Sequence, residues 1–413
     1  MNRTKSGPTI CLAVALAASP LPDFAQVVDC TTSFGFRADV NGVAGLTLCD
    51  AKVDTFLDTA KNFALSNSGY NNTAAILAQG RFNDVNISLS FAANSPTLSY
   101  NFAELGVSGA FTGATRAQSQ ELFLAFLKQS DLVGRMLKYQ SEHSTASTVT
   151  GMGGAIPTLG QADFAVGFEG ASQIGAAAQA GGAEGGTPSL VGLGLSYGSF
   201  SMRDGSDVRS TSLPLSYTVR NGIDPRRQFV VSVPLSRVTV GAAVVNHGGL
   251  GLAYRLPMSD RWTLTPGARY AVSASRDRAT ATKIYSASLV STYLVPAGAL
   301  NFAIGNMVGV YRTGAFRNGG YTFDPDITLT MLRNGVLMSL PARAFGPKLV
   351  AEVSLIDTRY VGSKPFASNT QELGISLGTN KRASNARSYT RAGAAILRGK
   401  NAKGFTVNFG YWF

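Results

Sequence analysis

From residue 189 to the end of the chain, bulky apolar residues alternate with small or polar ones. The series opens with Val191, Leu193, Leu195 and Tyr197, and continues with Leu213, Leu215, Tyr217 and Val219, then Phe229, Val231, Val233 and Leu235. Further stretches lie at 250–256, 262–270, 285–295, 300–310, 327–340, 349–355, 373–377, 389–397 and 405–413. A period of two predicts strands, and the stretches approach the roughly 9–11 residues that a tilted strand needs to cross a bilayer. The pattern predicts about twelve antiparallel strands, apolar on one face and mainly Gly, Ala, Ser, Thr and Asn on the other. A soluble sandwich also alternates, but its wet face carries many Lys and Glu, and here that face is small and largely uncharged. The expected fold is an all-β transmembrane barrel over 189–413.

Before it the period changes. Over 118–139, Leu122, Phe123, Phe126, Leu127, Val133, Met136 and Leu137 recur at helical spacing among Lys128, Asp131, Arg135 and Lys138. Such an amphipathic helix needs a partner for its apolar face. The helix is expected either inserted in the barrel lumen, with Arg135 and Lys138 as charges of the plug, or on the periplasmic side. A shorter amphipathic stretch covers 51–65, and alternating runs at 85–91 and 98–102 flank Asn94, Ser95 and Pro96, which predicts a hairpin. Residues 141–188 are rich in Gly, Ala, Ser and Thr and read as a linker or as a segment threaded through a larger structure.

Composition narrows the class. The chain is 45% hydrophobic, yet beyond its first twenty residues it has no apolar run long enough for a spanning helix. Charged residues make up 15%, against about a quarter in an average soluble chain, so little wet exterior is available. The balance of 36 Lys and Arg to 24 Asp and Glu gives +12, which suits nucleic acid, anionic lipid or anionic solutes. Arg3 and Lys5, an apolar core at 10–18 and small residues up to Ala25 read as a secretory signal over 1–25, and export removes nucleic acid from the partners. Cys11 departs with that signal. Cys30 and Cys49 remain, and an isolated pair in an oxidising compartment reads as a disulfide rather than a metal site. The expected domains are therefore the signal, a small disulfide-linked region at 26–115, the helix and Gly/Ala-rich segment at 116–188, and the barrel at 189–413. The 26–115 region is a plug, a passenger, a periplasmic domain or extra strands.

The final strand places Phe405, Val407, Phe409, Tyr411 and Phe413 on one face. It resembles the C-terminal signal by which the barrel assembly machinery recognises outer-membrane clients. A helix ahead of about twelve strands resembles the translocator barrel of autotransporters. More narrowly, residues 249–256, 260–266, 303–309 and 404–413, with Arg255, Trp262, Asn306 and the closing Phe-Gly-Tyr-Trp-Phe run, are similar to the solitary autotransporter-like outer-membrane barrels of proteobacteria. That resemblance implies residence in the bacterial outer membrane, with its lipid and the assembly machinery as partners and no cofactor. It supplies no activity, and the N-terminal region with its cysteine pair departs from it.

Candidate chemistry is sparse. The histidines are His143 and His247, and outer-membrane lipid hydrolases pair a His with a Ser two positions on, where this chain has Gly249. His247 is read as a hydrogen-bonded loop residue. Gly151, Gly153 and Gly154 lack the surroundings of a phosphate loop, and Asp324 and Asp326 fit a turn better than a calcium site. By alternation Arg255, Arg269, Lys283, Glu352, Glu372 and Arg391 point into the lumen, either as an ion-pair network bracing a narrow barrel or as an anion filter. The expected function is a non-enzymatic autotransporter-like barrel that presents or threads its own N-terminal region. The alternative is a channel for anionic solutes with a positive lumen.

Overall fold

The computed structural model describes residues 30–56, 58, 69–144, 147–171, 189–203, 207–298, 300–318, 321–342, 344–346, 349–379 and 389–412. The signal segment, residues 174–186, most of 51–65 and Phe413 lie outside the described residues.

The described strands form a six-stranded sheet, a closed barrel and a two-stranded hairpin. The first is antiparallel and contains β1 (Phe34–Val40), β2 (Leu48–Asp50), β3 (Ile76–Phe82), β4 (Val85–Phe91), β5 (Thr97–Phe102) and β6 (Val107–Thr112), in the order β2-β1-β3-β4-β5-β6. Its strands do not enter the barrel. Cys30 and Cys49 are disulfide-bonded, which ties the chain ahead of β1 to β2. The hairpin expected around Asn94 is β4–β5, with Phe91 opposite Leu98.

Two helices follow, Arg116–Gln129 and Leu132–His143. Thr115 caps the first by accepting the Gln118 N–H at 3.2 Å. Extended backbone at Ser130 ends it, so the expected single helix over 118–139 is broken in two. Both pieces turn their apolar residues onto the sheet, where Phe123, Leu132 and Met136 join Val85, Phe91, Leu98, Tyr100 and Phe102 in one core. The ring of Tyr100 lies 5.4 Å from both Phe123 and Phe126 and 5.6 Å from Phe111. This corrects the expected plug. The 118–139 segment lies outside the lumen, because an aromatic sheet face beside it in sequence supplies the cover that its apolar stripe needs.

The barrel closes on twelve strands: β7 (Ser189–Met202), β8 (Val208–Arg220), β9 (Gln228–Val240), β10 (Ala243–Pro257), β11 (Trp262–Ser275), β12 (Thr280–Ala297) and β13 (Leu300–Gly314), then, past a small hairpin of β14 (Phe316–Asn318) and β15 (Tyr321–Phe323), β16 (Thr328–Pro341), β17 (Leu349–Gly362), β18 (Asn369–Thr379), β19 (Tyr389–Gly399) and β20 (Ala402–Trp412). Sequential neighbours pair antiparallel, and β20 pairs with β7 to remove both edges. Outward positions carry Leu193, Leu195, Tyr197, Leu250, Leu252, Ile304, Val308, Phe405, Val407 and Phe409, all exposed. A closed antiparallel barrel with an apolar exterior satisfies every backbone group in lipid, which an open sheet cannot do.

β7 starts and β20 ends at one mouth, called here the terminal mouth. The six-stranded sheet sits on the opposite, far mouth. There Val53 N–H donates to the Asp277 carbonyl at 2.6 Å, the Asn83 amide to the Arg278 carbonyl at 3.1 Å, and Phe366 N–H to the Ser141 carbonyl at 3.2 Å. Arg278 is buried at this joint, and desolvation lowers its pKa against the opposing charges of Asp84 and Asp277.

Phe102 is 1% exposed at the centre of the sheet-helix core. Phe102→Ala should cost that unit about 3–5 kcal/mol. Limited proteolysis should cleave residues 30–143 at lower urea in the variant, with the heat-modifiable mobility of the barrel unchanged. Loss of barrel mobility together with the sheet would show that the two units do not fold separately.

Candidate functional site

What fills the lumen is the segment that reads as a Gly/Ala-rich linker. After His143 the chain turns into the far mouth, where Ser147, Thr148, Val149 and Thr150 are buried. A helix, Ala155–Phe164, then descends and widens into a π-turn over Ala165–Glu169. Ile156, Leu159, Phe164 and Phe168 pack on Ile284, Val290, Met307, Tyr311, Met331 and Leu337 from the wall. β13 and β16 therefore turn Met307, Tyr311, Leu329, Met331 and Leu337 inward, and β12 adds Ile284 and Val290 among inward Ser and Thr, where most other inward positions are small and polar. Close approach is what the glycines allow: a Cβ at Gly167 would collide with the Val290 side chain, and one at Gly305 with the Phe168 ring.

The segment is also held by charge. Asp163 accepts from Arg269 at 2.6 and 2.8 Å and from the Tyr311 hydroxyl at 2.9 Å. Arg255 donates to the Val166 carbonyl at 2.8 and 3.1 Å and to Gln228 Oε1 at 2.6 Å. Glu169 pairs with Arg391 at 2.9 Å, and the same guanidinium reaches Glu352 at 3.0 Å. Arg333 grips Glu372 through two bonds of 2.9 Å, donates to Thr358 at 2.6 Å and lies 5.2 Å over the Phe164 ring. The Arg333–Glu372 pair is bidentate, and each of these arginines meets an opposite charge or a carbonyl, which a buried charge requires.

Of the residues singled out from sequence, Arg255, Arg269, Glu352, Glu372 and Arg391 converge on the lumen. Lys283 does not. It shares the outward parity of Tyr285 and Leu289, and its ammonium lies 5.8 Å over the Phe316 ring at the far rim. The strand begins at Thr280, and its first residues are mixed on both faces, so alternation misleads there. Arg135 and Lys138 are outside the barrel: Arg135 donates to the Leu105 carbonyl at 2.6 Å, and Lys138 faces Asp326 at 4.0 Å. Glu352 and Glu372 meet Arg391 and Arg333, both from the barrel wall.

Asp163, Glu169 and Arg333 were not legible. Arg333 shares its face with Leu329, Met331 and Leu337 while Leu332 and Val336 point outward, so both faces look apolar. His247 is on β10 and not in a loop. Its ring meets the Ser273 hydroxyl at 2.9 Å and the Gly153 carbonyl at 3.1 Å, both ring nitrogens being occupied beneath the buried 147–150 turn. This sealed pair fastens the incoming segment. Phe405, Val407 and Phe409 lie on the outer face with Tyr411, in the strand that closes the barrel on β7.

No protein-family model matches the chain, and no curated protein matches it in sequence. Among solved structures it is similar to the beta domain of the Bordetella autotransporter BrkA, at 14% identity and a TM-score of 0.43 over 55% of this chain and 99% of that one. It is also similar to the translocator domain of the autotransporter NalP from Neisseria meningitidis, at 12% identity and a TM-score of 0.41 over 60% and 99%. A third is the KdgM porin in complex with disordered oligogalacturonate, at 10% identity and a TM-score of 0.34 over 53% and 98%. The closed, lipid-facing barrel itself makes the chain an integral protein of the bacterial outer membrane.

Removing one partner of a buried pair leaves a stranded charge, at a cost of about 3–5 kcal/mol, whereas replacing both by apolar groups can be nearly neutral. Arg333→Met alone should lower the temperature at which the barrel loses its compact gel mobility. Arg333→Met with Glu372→Leu should recover most of that loss, and a double variant weaker than the single one would contradict the pairing.

Proposed function

We propose that this protein threads its own N-terminal chain through its barrel and holds a small disulfide-closed β-domain at the cell surface. One observation carries the reading: the six-stranded sheet and the two ends of the barrel chain lie at opposite mouths, and between them 147–171 runs down the lumen. The course of that segment is fixed at both ends. Gly153 bonds His247 near the far mouth, and Glu169 bonds Arg391 at the start of β19 near the terminal mouth.

With an even number of strands, both ends of the barrel chain fall on one side, and in outer-membrane barrels the connections on the outside are the longer ones. The longest described connection, 315–327 with its own hairpin, is at the far mouth against the helices that flank the sheet. The sheet is then extracellular, as in a translocator caught with a short passenger. The C-terminal strand with Phe405, Val407, Phe409, Tyr411 and Phe413 acts in this reading as the signal for the assembly machinery. Presentation, and not covalent chemistry, is the role. A conduit for anionic solutes is less well supported, because the wall arginines already have acids or carbonyls as partners.

Surface labelling separates the orientations. Single cysteines at Asn101, on the sheet, and at Asn221, in the β8–β9 turn, would be treated with a membrane-impermeant maleimide on intact cells. Labelling is expected at Asn101 and only after lysis at Asn221. The reverse pattern would place the sheet in the periplasm.

A further inference from the structure

The two rims of the barrel differ in a way that threading does not use. Near the far mouth, the outward positions of adjoining strands carry Arg398 on β19, Lys403 on β20, Arg209 on β8 and Arg237 on β9, all exposed. Arg398 and Lys403 are direct cross-strand partners, a pairing of like charges that destabilises an antiparallel ladder by itself. Arg237 stands opposite Thr211, two residues from Arg209, so these two are diagonal neighbours. Hydroxyls fill the places between: Ser201 opposite Lys403, Ser199 opposite Arg209, and Thr239 opposite Arg209 on its other side.

Among the described residues none of these four cations forms an ion pair. The outward positions of β7, β8, β9, β19 and β20 hold no acid, and Asp207 lies in the connection ahead of β8. Immediately inward of the row stand Tyr197, Leu213, Leu235, Ile396 and Phe405, the edge of the apolar belt. From Arg209 to Val219 a strand tilted by about 45° rises roughly 23 Å, close to the height of the lipid-facing band of such barrels. The cations therefore stand at headgroup level, with their aliphatic stems along the belt.

The terminal rim is built differently. Its outward positions are Val219, Phe229, Tyr254, Trp262, Tyr293 and Leu300, without charge. Of its described turn cations, Arg226 is neutralised by Asp224 at 3.1 Å and Asp260 at 2.9 Å and Arg227 by Asp224 at 3.7 Å, which leaves Arg261 as a single cation in the β10–β11 turn rather than a row.

We infer that the Arg398, Lys403, Arg209 and Arg237 row is a docking surface for phosphate-bearing lipid headgroups of the leaflet around the far mouth. Paired cations with interleaved hydroxyl donors match phosphate oxygens, and the apolar belt directly beneath accepts the acyl chains of the same molecule. A headgroup with two phosphates engages both cation pairs. The inference stands on the barrel wall alone and is independent of where the N-terminal sheet resides.

The test uses the purified full chain in an uncharged detergent, with retained ligand read by native mass spectrometry. Diphosphoryl lipid A is the probe, inorganic phosphate the soluble anion and phosphatidylcholine the neutral lipid. The parent should retain lipid A over phosphatidylcholine. Replacing Arg209, Arg237, Arg398 and Lys403 by Gln should reduce retention at least about tenfold, whereas Arg226→Gln with Arg227→Gln should not. Equal retention by the fourfold variant would overturn the inference, as would displacement of lipid A by equimolar inorganic phosphate, which marks a site for any anion. If the fourfold variant does not fold, Arg398→Gln with Lys403→Gln decides. Relief of the like-charge pair should raise its melting temperature in lipid-free detergent, and lipid A should stabilise it less than the parent. A lower melting temperature together with undiminished stabilisation by lipid A would refute the docking surface.

Discussion

An arginine turned into the lumen of a narrow barrel has to be neutralised, because little water reaches it and the surrounding wall is of low polarity. Here the wall supplies only part of the compensation. Arg333 finds Glu372 on a neighbouring part of the wall, but Arg269 depends on Asp163, Arg255 on the Val166 carbonyl, and Arg391 on Glu169 of the threaded segment together with Glu352. The threaded segment is therefore a structural member of the barrel, and the barrel is the site that gives that segment its shape. A stretch of Gly and Ala with few large side chains has little reason to be helical by itself. It is helical where Phe164 and Phe168 meet the wall and Asp163 meets Arg269.

Several features follow from that exchange. Large apolar side chains point inward from β13 and β16 and from Ile284 and Val290 of β12, since these receive Ile156, Leu159 and Phe168, while β17, β18 and β19 keep polar groups for the ion pairs. The sheet unit is positioned by the same segment. Its helices end at His143, and the chain enters the far mouth a few residues later, where Phe366 and the 276–279 turn contact the sheet and its flanking helix. A small β-domain with its own aromatic core and disulfide is thereby held at one mouth by a cord bonded down to the other.

The barrel was legible because lipid imposes a strict period of two on its exterior, and the twelve alternating stretches correspond one for one to its strands. The disulfide was legible from export and cysteine count. The plug was not. The 118–139 stretch has the stronger helical pattern, yet its stripe matched the aromatic face of the preceding sheet, which local periodicity cannot reveal. The true lumen helix has small residues because the lumen is narrow, and small residues resemble a linker. Asp163 and Glu169 carry no local signal, since what selects them is arginines about a hundred and two hundred residues away. Lys283 was misplaced where a rim strand loses its clean alternation.

The chain closes its own pore with 155–171. Planar-bilayer recording tests it directly, comparing the full protein with a form lacking those residues and confirmed as folded by heat-modifiable mobility. The full protein should be silent. The deletion should conduct and favour anions, because Arg255 and Arg269 lose their partners to an open lumen. A full-length protein that conducts like the deletion, or a folded deletion that stays silent, would contradict the account.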